Sequence, residues 1–147
     1  MSHTFAQNVI HIVFSTKERR KSIPMELQPR MWAYLAGICK KEAVLVHAIG
    51  GMEDHVHCLI QLPATLELAK AVLLMKANSS KWMNGMERKF GWQKGYGAFS
   101  VSASNVPVVV RYIQNQESHH RKMSFDEEFV VLLKKHGVEF DMRYVFG

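Results

Sequence analysis

The segment Glu53-Asp-His-Val-His-Cys-Leu-Ile-Gln-Leu62 constrains this chain more than any other. Side chains on a strand alternate between two faces. Val56, Cys58, Ile60 and Leu62 then share one face, and all four are apolar, so that face lies on a core. His55, His57, Leu59 and Gln61 share the other. The two histidines stand about 7 Å apart along the backbone, close enough for both imidazoles to hold one cation. Alone, such a pair reads first as two solvent-facing histidines on an ordinary strand. The strand offers no obvious third ligand.

The flanking residues alternate between strand and helix patterns. Residues 8–14 are β-branched and aromatic, a strand, followed by a basic turn from Thr16 to Lys21. Pro24 suits a first helical turn. Leu27, Met31, Leu35 and Ile38 then keep helical spacing to about Lys41. Ala43–Ile49 is a strand ended by Gly50-Gly51, and it pairs with 55–62 as a hairpin. Thr65 is a candidate N-cap for a helix into the high 80s. Its expected buried stripe is Ala69, Val72, Leu73, Trp82, Met83 and Met86, with Asn78-Ser79-Ser80 as a place to bend or break. A glycine-punctuated loop spans 91–97, and 98–103 is a fourth strand. A helix is expected over about 107–121. Ser124-Phe-Asp-Glu127 is a capping box that starts a last helix ending at Gly137. Phe140–Phe146 is expected to be extended. The order β-α-β-β-α-β predicts an α+β fold over residues 1–147 as one domain. Its form is the ferredoxin-like or RRM-like split βαβ: an antiparallel sheet, helices on one face and a C-terminal helical extension.

Charge narrows the partner. Nineteen basic against thirteen acidic residues give +6 and a pI near 9.4, which favours a polyanion, nucleic acid first. Apolar runs such as Ala71–Met75 are far short of the roughly 20 residues a membrane helix needs. The N-terminus lacks a secretory pattern. Cys39 and Cys58 form no metal or disulfide motif, so a cytoplasmic, reducing compartment is expected.

The second informative stretch is Val110-Arg-Tyr-Ile-Gln-Asn-Gln-Glu-Ser-His-His-Arg-Lys122. On a helix, Tyr112 and Gln116 lie one turn apart, and His119 or His120 continues their face. Together with the histidine pair, this chain resembles the single-tyrosine transposases with a His-hydrophobe-His (HUH) motif. More closely it resembles the insertion sequence 200/605 transposases (transposase A type), including their REP-associated relatives. The resemblance rests on His11-Ile-Val-Phe-Ser-Thr-Lys17, Asp54-His-Val-His57, Ser79-Ser-Lys-Trp82, Trp92–Val101, Tyr112-Ile-Gln-Asn-Gln116, His119-His-Arg-Lys122 and Glu127-Glu-Phe129.

The resemblance implies cleavage and rejoining of single-stranded DNA at hairpin ends of a mobile element, with a homodimer as the working unit. It implies His55 and His57 as metal ligands, Gln116 as the third and Tyr112 as nucleophile. His119, His120 and Asp54 are further candidates to bind the metal or orient its ligands. A free phenol has a pKa near 10 and needs help to attack at neutral pH. A divalent cation supplies it by drawing charge from the phosphate. Mg²⁺ or Mn²⁺ suits oxygen ligands and open octahedral positions. Two neutral imidazoles and an amide would leave the cation's whole charge facing the phosphate.

Lys17, Arg19, Arg20 and Lys21 are the expected DNA-binding group. Trp92 or Tyr96 could stack on unpaired bases. Ser104-Asn105 is a hinge or a plain N-cap, His11 a packed or exposed side chain, and Cys58 an inert core thiol. Rival readings are an RNA-recognition-type binder, a hydrolytic metalloenzyme and a domesticated HUH endonuclease. Covalent trapping separates the first two from a transposase.

Overall fold

A computed structural model describes residues 5–86 and 88–145. Strands β1 (Val9–Ser15), β2 (Leu45–Met52), β3 (His55–Gln61) and β4 (Gly97–Ser100) form an antiparallel sheet in the order β2-β3-β1-β4. Helices α1 (Gln28–Lys41) and α2 (Leu68–Gly85) are the split βαβ crossovers. Helices α3 (Val106–Gln114), α4 (Gln116–His120) and α5 (Phe125–Lys135) form the extension.

The sheet is buried on both faces. Ile12, Phe14, Val56, Cys58 and Ile60 pack with Met31, Leu35, Val72, Met75 and Met83 from α1 and α2. On the opposite face, Val9 and Leu59 pack on Ile113, and Val13 and Phe99 pack on Phe125, Leu132 and Leu133. The histidine face is therefore enclosed, and His55 and His57 are fully buried. The expected core face of β3 is in place, with Cys58 buried and its thiol pKa pushed up by that burial.

Several local expectations are corrected. Gly50 and Gly51 do not end β2; they lie within it, and the turn is Glu53-Asp54. They are needed for close approach: a Cβ on Gly50 would sit 2.8 Å from the Ile113 carbonyl oxygen of α3. Gly50→Ala should therefore destabilise the chain by about 1–3 kcal/mol through overpacking. A urea midpoint unchanged from the parent would show that α3 has room to yield.

Thr65 is not the cap of α2; Glu67 holds that position without a side-chain bond. The buried stripe of α2 is Ala71, Val72, Met75, Ser79 and Met83, whereas Leu73 is 58% exposed and Ala69 also faces out. Asn78 and Ser79 do not break α2. Their side chains donate back to the Leu74 and Met75 carbonyls within the helix.

The expected helix over 107–121 is two helices, because Asn115 leaves helical geometry (φ −102°, ψ 26°). Ser104-Asn105 lies in a 3-10 turn leading into α3, and Asn105 makes no side-chain cap bond. The capping box at Ser124 and Glu127 forms as expected. Residues 142–145 are turns, not extended chain; Phe146 lies outside the described residues. No helix among the described residues is long and apolar enough to cross a membrane.

Candidate functional site

Three elements distant in sequence converge on the enclosed sheet face. From β3 come His55 and His57, from the α3–α4 region Tyr112, Gln116 and His120, and from α5 Glu128. His57 Nε2 donates to Glu128 Oε1 at 3.0 Å, and His120 Nε2 lies 3.0 Å from the same oxygen. His55 Nε2 donates to Gln116 Oε1 at 2.9 Å and is 3.3 Å from Glu128 Oε1. His120 Nε2 also lies 3.1 Å from Gln116 Oε1. The Tyr112 hydroxyl donates to Glu128 Oε2, which also accepts from Gln116 Nε2 at 3.3 Å.

His120, four residues after Gln116 on α4, reaches the cage, while His119 packs its ring 4.6 Å from that of Tyr112. Tyr112 lies beside the histidines of its own chain, its ring centroid 5.7 Å from that of His57.

The outer nitrogens of the strand histidines are also held. Asp54 Oδ1 accepts from His55 Nδ1 at 2.7 Å. His11, 3% exposed, places Nε2 2.8 Å from His57 Nδ1. His11 is thus a packed histidine, and its contact fixes the His57 ring. Asp54 belongs both to the turn and to the orientation of His55, on the side away from the cage.

Charge follows from these contacts. Burial favours neutral His55, but hydrogen bonds to Asp54 and Glu128 outweigh it and hold its pKa up at about 9. Burial dominates at His57, which falls to about 4, and at His11, which falls to about 3. Glu128 would be raised by burial, yet the hydrogen bonds from His120, His55 and His57 keep it well below the usual carboxylate range. Tyr112 is raised above an ordinary phenol by burial and by the Glu128 charge. In this arrangement the phenol keeps its proton.

The donor set fits a divalent cation. One ligand atom each from His55, His57 and Glu128 lies within 4.8 Å of the others, all three residues being buried. The Gln116 amide oxygen adds a hard donor. The Nδ1 contacts leave each Nε2 to face the centre, the usual way a protein orients a metal-binding imidazole. Asp54→Asn should weaken Mn²⁺ binding about 10- to 100-fold by loosening His55. Isothermal titration at fixed pH reads this, and an unchanged affinity would mean that Asp54 only shapes the turn.

Sequence alone does not single out Glu128. Its one signal is the Glu127-Glu-Phe129 motif, but a carboxylate one residue past a capping box reads as first-turn charge. Trp92, a candidate for base stacking, is instead part of the core. Its ring packs edge-on against Phe14 and Phe90, and its Nε1 donates to Ser79 Oγ at 2.9 Å.

Lys21 lines a cleft of about 450 Å³ that opens beside the cage, with Arg121 and Lys122 but also Glu53, Asp54 and Glu127 in its wall. Lys17 and Arg20 line a smaller cleft with Lys89. Arg19 is ion-paired with Asp126 at 3.1 Å, and Arg20 with Glu18 at 3.2 Å.

A buried cage of metal-ligand type with a phenol against it thus sits on a split βαβ sheet, beside a cleft lined by both basic and acidic side chains. Residues 4–116 match the family described as "Transposase IS200 like", and the chain belongs to that family. It is a DNA transposase by that membership. It is 26% identical over 128 residues to the transposase for insertion sequence element IS200 of Salmonella typhimurium, covering 79% of this chain and 81% of that one. The Salmonella typhi transposase for the same element matches equally.

The fold is similar to two solved structures. One is a protein of Deinococcus radiodurans R1 solved as a candidate transposase, with TM-score 0.64, 20% identity, and 79% of this chain and 95% of that chain covered. The other is a REP-associated tyrosine transposase bound to a REP hairpin, with TM-score 0.63, 14% identity, and 82% and 73% covered. Glu128 and α5 lie beyond the family-matched residues.

Proposed function

We propose that this transposase cleaves and rejoins single-stranded DNA by transesterification, with Tyr112 as nucleophile. The observation that carries the reading is the Tyr112 hydroxyl bonded to the same buried carboxylate as His57 and His120. His55, His57 and Gln116, with Glu128 added, would hold Mg²⁺ or Mn²⁺. When bound, the cation would draw charge from the scissile phosphate and offset the carboxylate that keeps the phenol protonated.

The phenol oxygen forms a bond to phosphorus and the bond to the 3′ oxygen breaks. The products are a 5′-phosphotyrosine and a free 3′-hydroxyl. Glu128 Oε2, already the phenol's acceptor, lies on the path of its proton, which ends on the leaving oxygen. One phosphoester replaces another, so the reverse reaction joins strands without a nucleotide cofactor.

Hairpin-forming single strands at the ends of a mobile element are the substrate in this reading. The chain acts as one cytoplasmic HUH domain and as a homodimer. Sedimentation showing only the 16.9 kDa monomer at working concentration would remove the dimer from the scheme. An RNA-recognition binder stacks bases on its open sheet face. Here α3–α5 cover that face, which disfavours that alternative.

The direct test is incubation with single-stranded hairpin DNA and Mg²⁺ or Mn²⁺, then denaturing electrophoresis. A covalent protein–DNA band is expected. Cleavage without that band would mean hydrolysis, and no cleavage would mean a binder without catalysis.

A further inference from the structure

Beside the cage, on its β4 side, lies a second cavity of about 280 Å³ that the chemistry above does not use. Its walls are aromatic: Phe125, Phe129 and Phe140 from the C-terminal segment, with Tyr96 and Tyr144 at the rim. Tyr96 is 39% and Tyr144 71% exposed. Lys94 and Arg19 also line it, Lys94 exposed and Arg19 anchored by Asp126.

The cavity is built rather than incidental. Glu18 N–H donates to Gln93 Oε1 at 2.9 Å and Gln93 N–H to the Ser15 carbonyl at 2.9 Å, so the basic turn and the loop over 93–96 are tied together. Glu18 and Arg19 hold left-handed backbone (φ 56° and 54°), a conformation uncommon outside glycine and tolerated where packing fixes it. Lys76 donates to the Gln93 and Gly95 carbonyls, and its ammonium lies 5.9 Å from the centre of the Tyr96 ring.

The cavity also abuts the site. Phe125, one of its walls, packs its other side on His55 with ring centres 4.6 Å apart, and Phe129 lies 5.6 Å from Phe125. We infer that this cavity takes one unpaired base of the DNA strand, stacked on aromatic rings next to the scissile phosphate. The ligand's chemistry follows from the walls: a flat, apolar-faced ring matches the aromatics, and cations at the mouth match the phosphates flanking it. The volume lies near the lower end for small-molecule sites, room for one heterocycle rather than a run of bases.

The inference rests on the single-strand reading of the function. It goes beyond family membership, because Phe125, Phe129, Phe140 and Tyr144 all lie past the matched residues 4–116.

The test uses the full chain and two probes of equal length and charge: fluorescein-labelled oligothymidylate of about 12 nucleotides, and the same backbone without bases. Anisotropy titrations should show the base-bearing strand binding about tenfold more tightly. In the double variant Tyr96→Ala/Tyr144→Ala that ratio should fall towards one, with affinity for the abasic strand unchanged. The abasic control also reports that the variant is folded. Equal binding of the two strands by the parent overturns the inference, as does an unaltered ratio in the variant. If the parent binds neither strand, the single-strand reading falls and the cavity's role with it. A covalent adduct together with an unmoved ratio removes the base site alone.

Discussion

Tyr112→Phe is expected to abolish the covalent adduct with single-stranded DNA completely. The substitution removes one oxygen and leaves the ring between His119 and His57, with the Ile113 core below undisturbed. It also removes a donor from Glu128, which keeps its bonds to His57, His120 and Gln116. The loss is therefore chemical, and the thermal midpoint should shift by only a few degrees. An adduct of undiminished yield on denaturing gels would mean that another side chain is the nucleophile.

The second large effect concerns Glu128. Glu128→Ala takes from the His55 imidazolium one of its two carboxylate partners, leaving Asp54, and takes from His57 and His120 their shared buried acceptor. Removing one partner of a buried charged group costs about 3–5 kcal/mol. For a chain of this size that corresponds to a fall of about 10 °C in the melting temperature. Mn²⁺ binding should weaken in the same variant, since an anionic donor is gone. Calorimetry of parent and variant, with and without Mn²⁺, reads both effects. A melting temperature equal to the parent's would sink the claim that the carboxylate neutralises the cage.

Glu128 also changes the electrostatics expected from sequence. Two imidazoles and an amide would present a cation's full +2 to the phosphate. A buried carboxylate in the same cage removes one unit and holds the phenol proton besides. A cation held there would thus have two charges to answer, the phosphate and Glu128.

The alternation of β3 is enough to put His55 and His57 on one face and Val56, Cys58 and Ile60 on the core. Period-two geometry is local, so neighbours along the chain settle it. The capping box at Ser124 and the β-α-β-β-α-β order are legible for the same reason. The ends of β2 and α2 are not. Gly50 reads as a strand terminator until α3 is known to press on it, and the α2 stripe turns with whatever helix packs beside it.

The site divides along the same line. Residue identity and short spacing set the histidine pair on one strand face and Tyr112 and Gln116 one turn apart, and the resemblance to the single-tyrosine transposases supplied the roles proposed for them. Tertiary structure alone decided that the histidine face is roofed, that His120 rather than His119 meets Glu128, and that Glu128 enters the cage from 71 residues beyond His57. Contacts over that separation leave no periodic trace in sequence. They arise only when α5 docks on the sheet through Phe125, Leu132 and Leu133, and apolar burial, which has no direction of its own, then fixes where a carboxylate points.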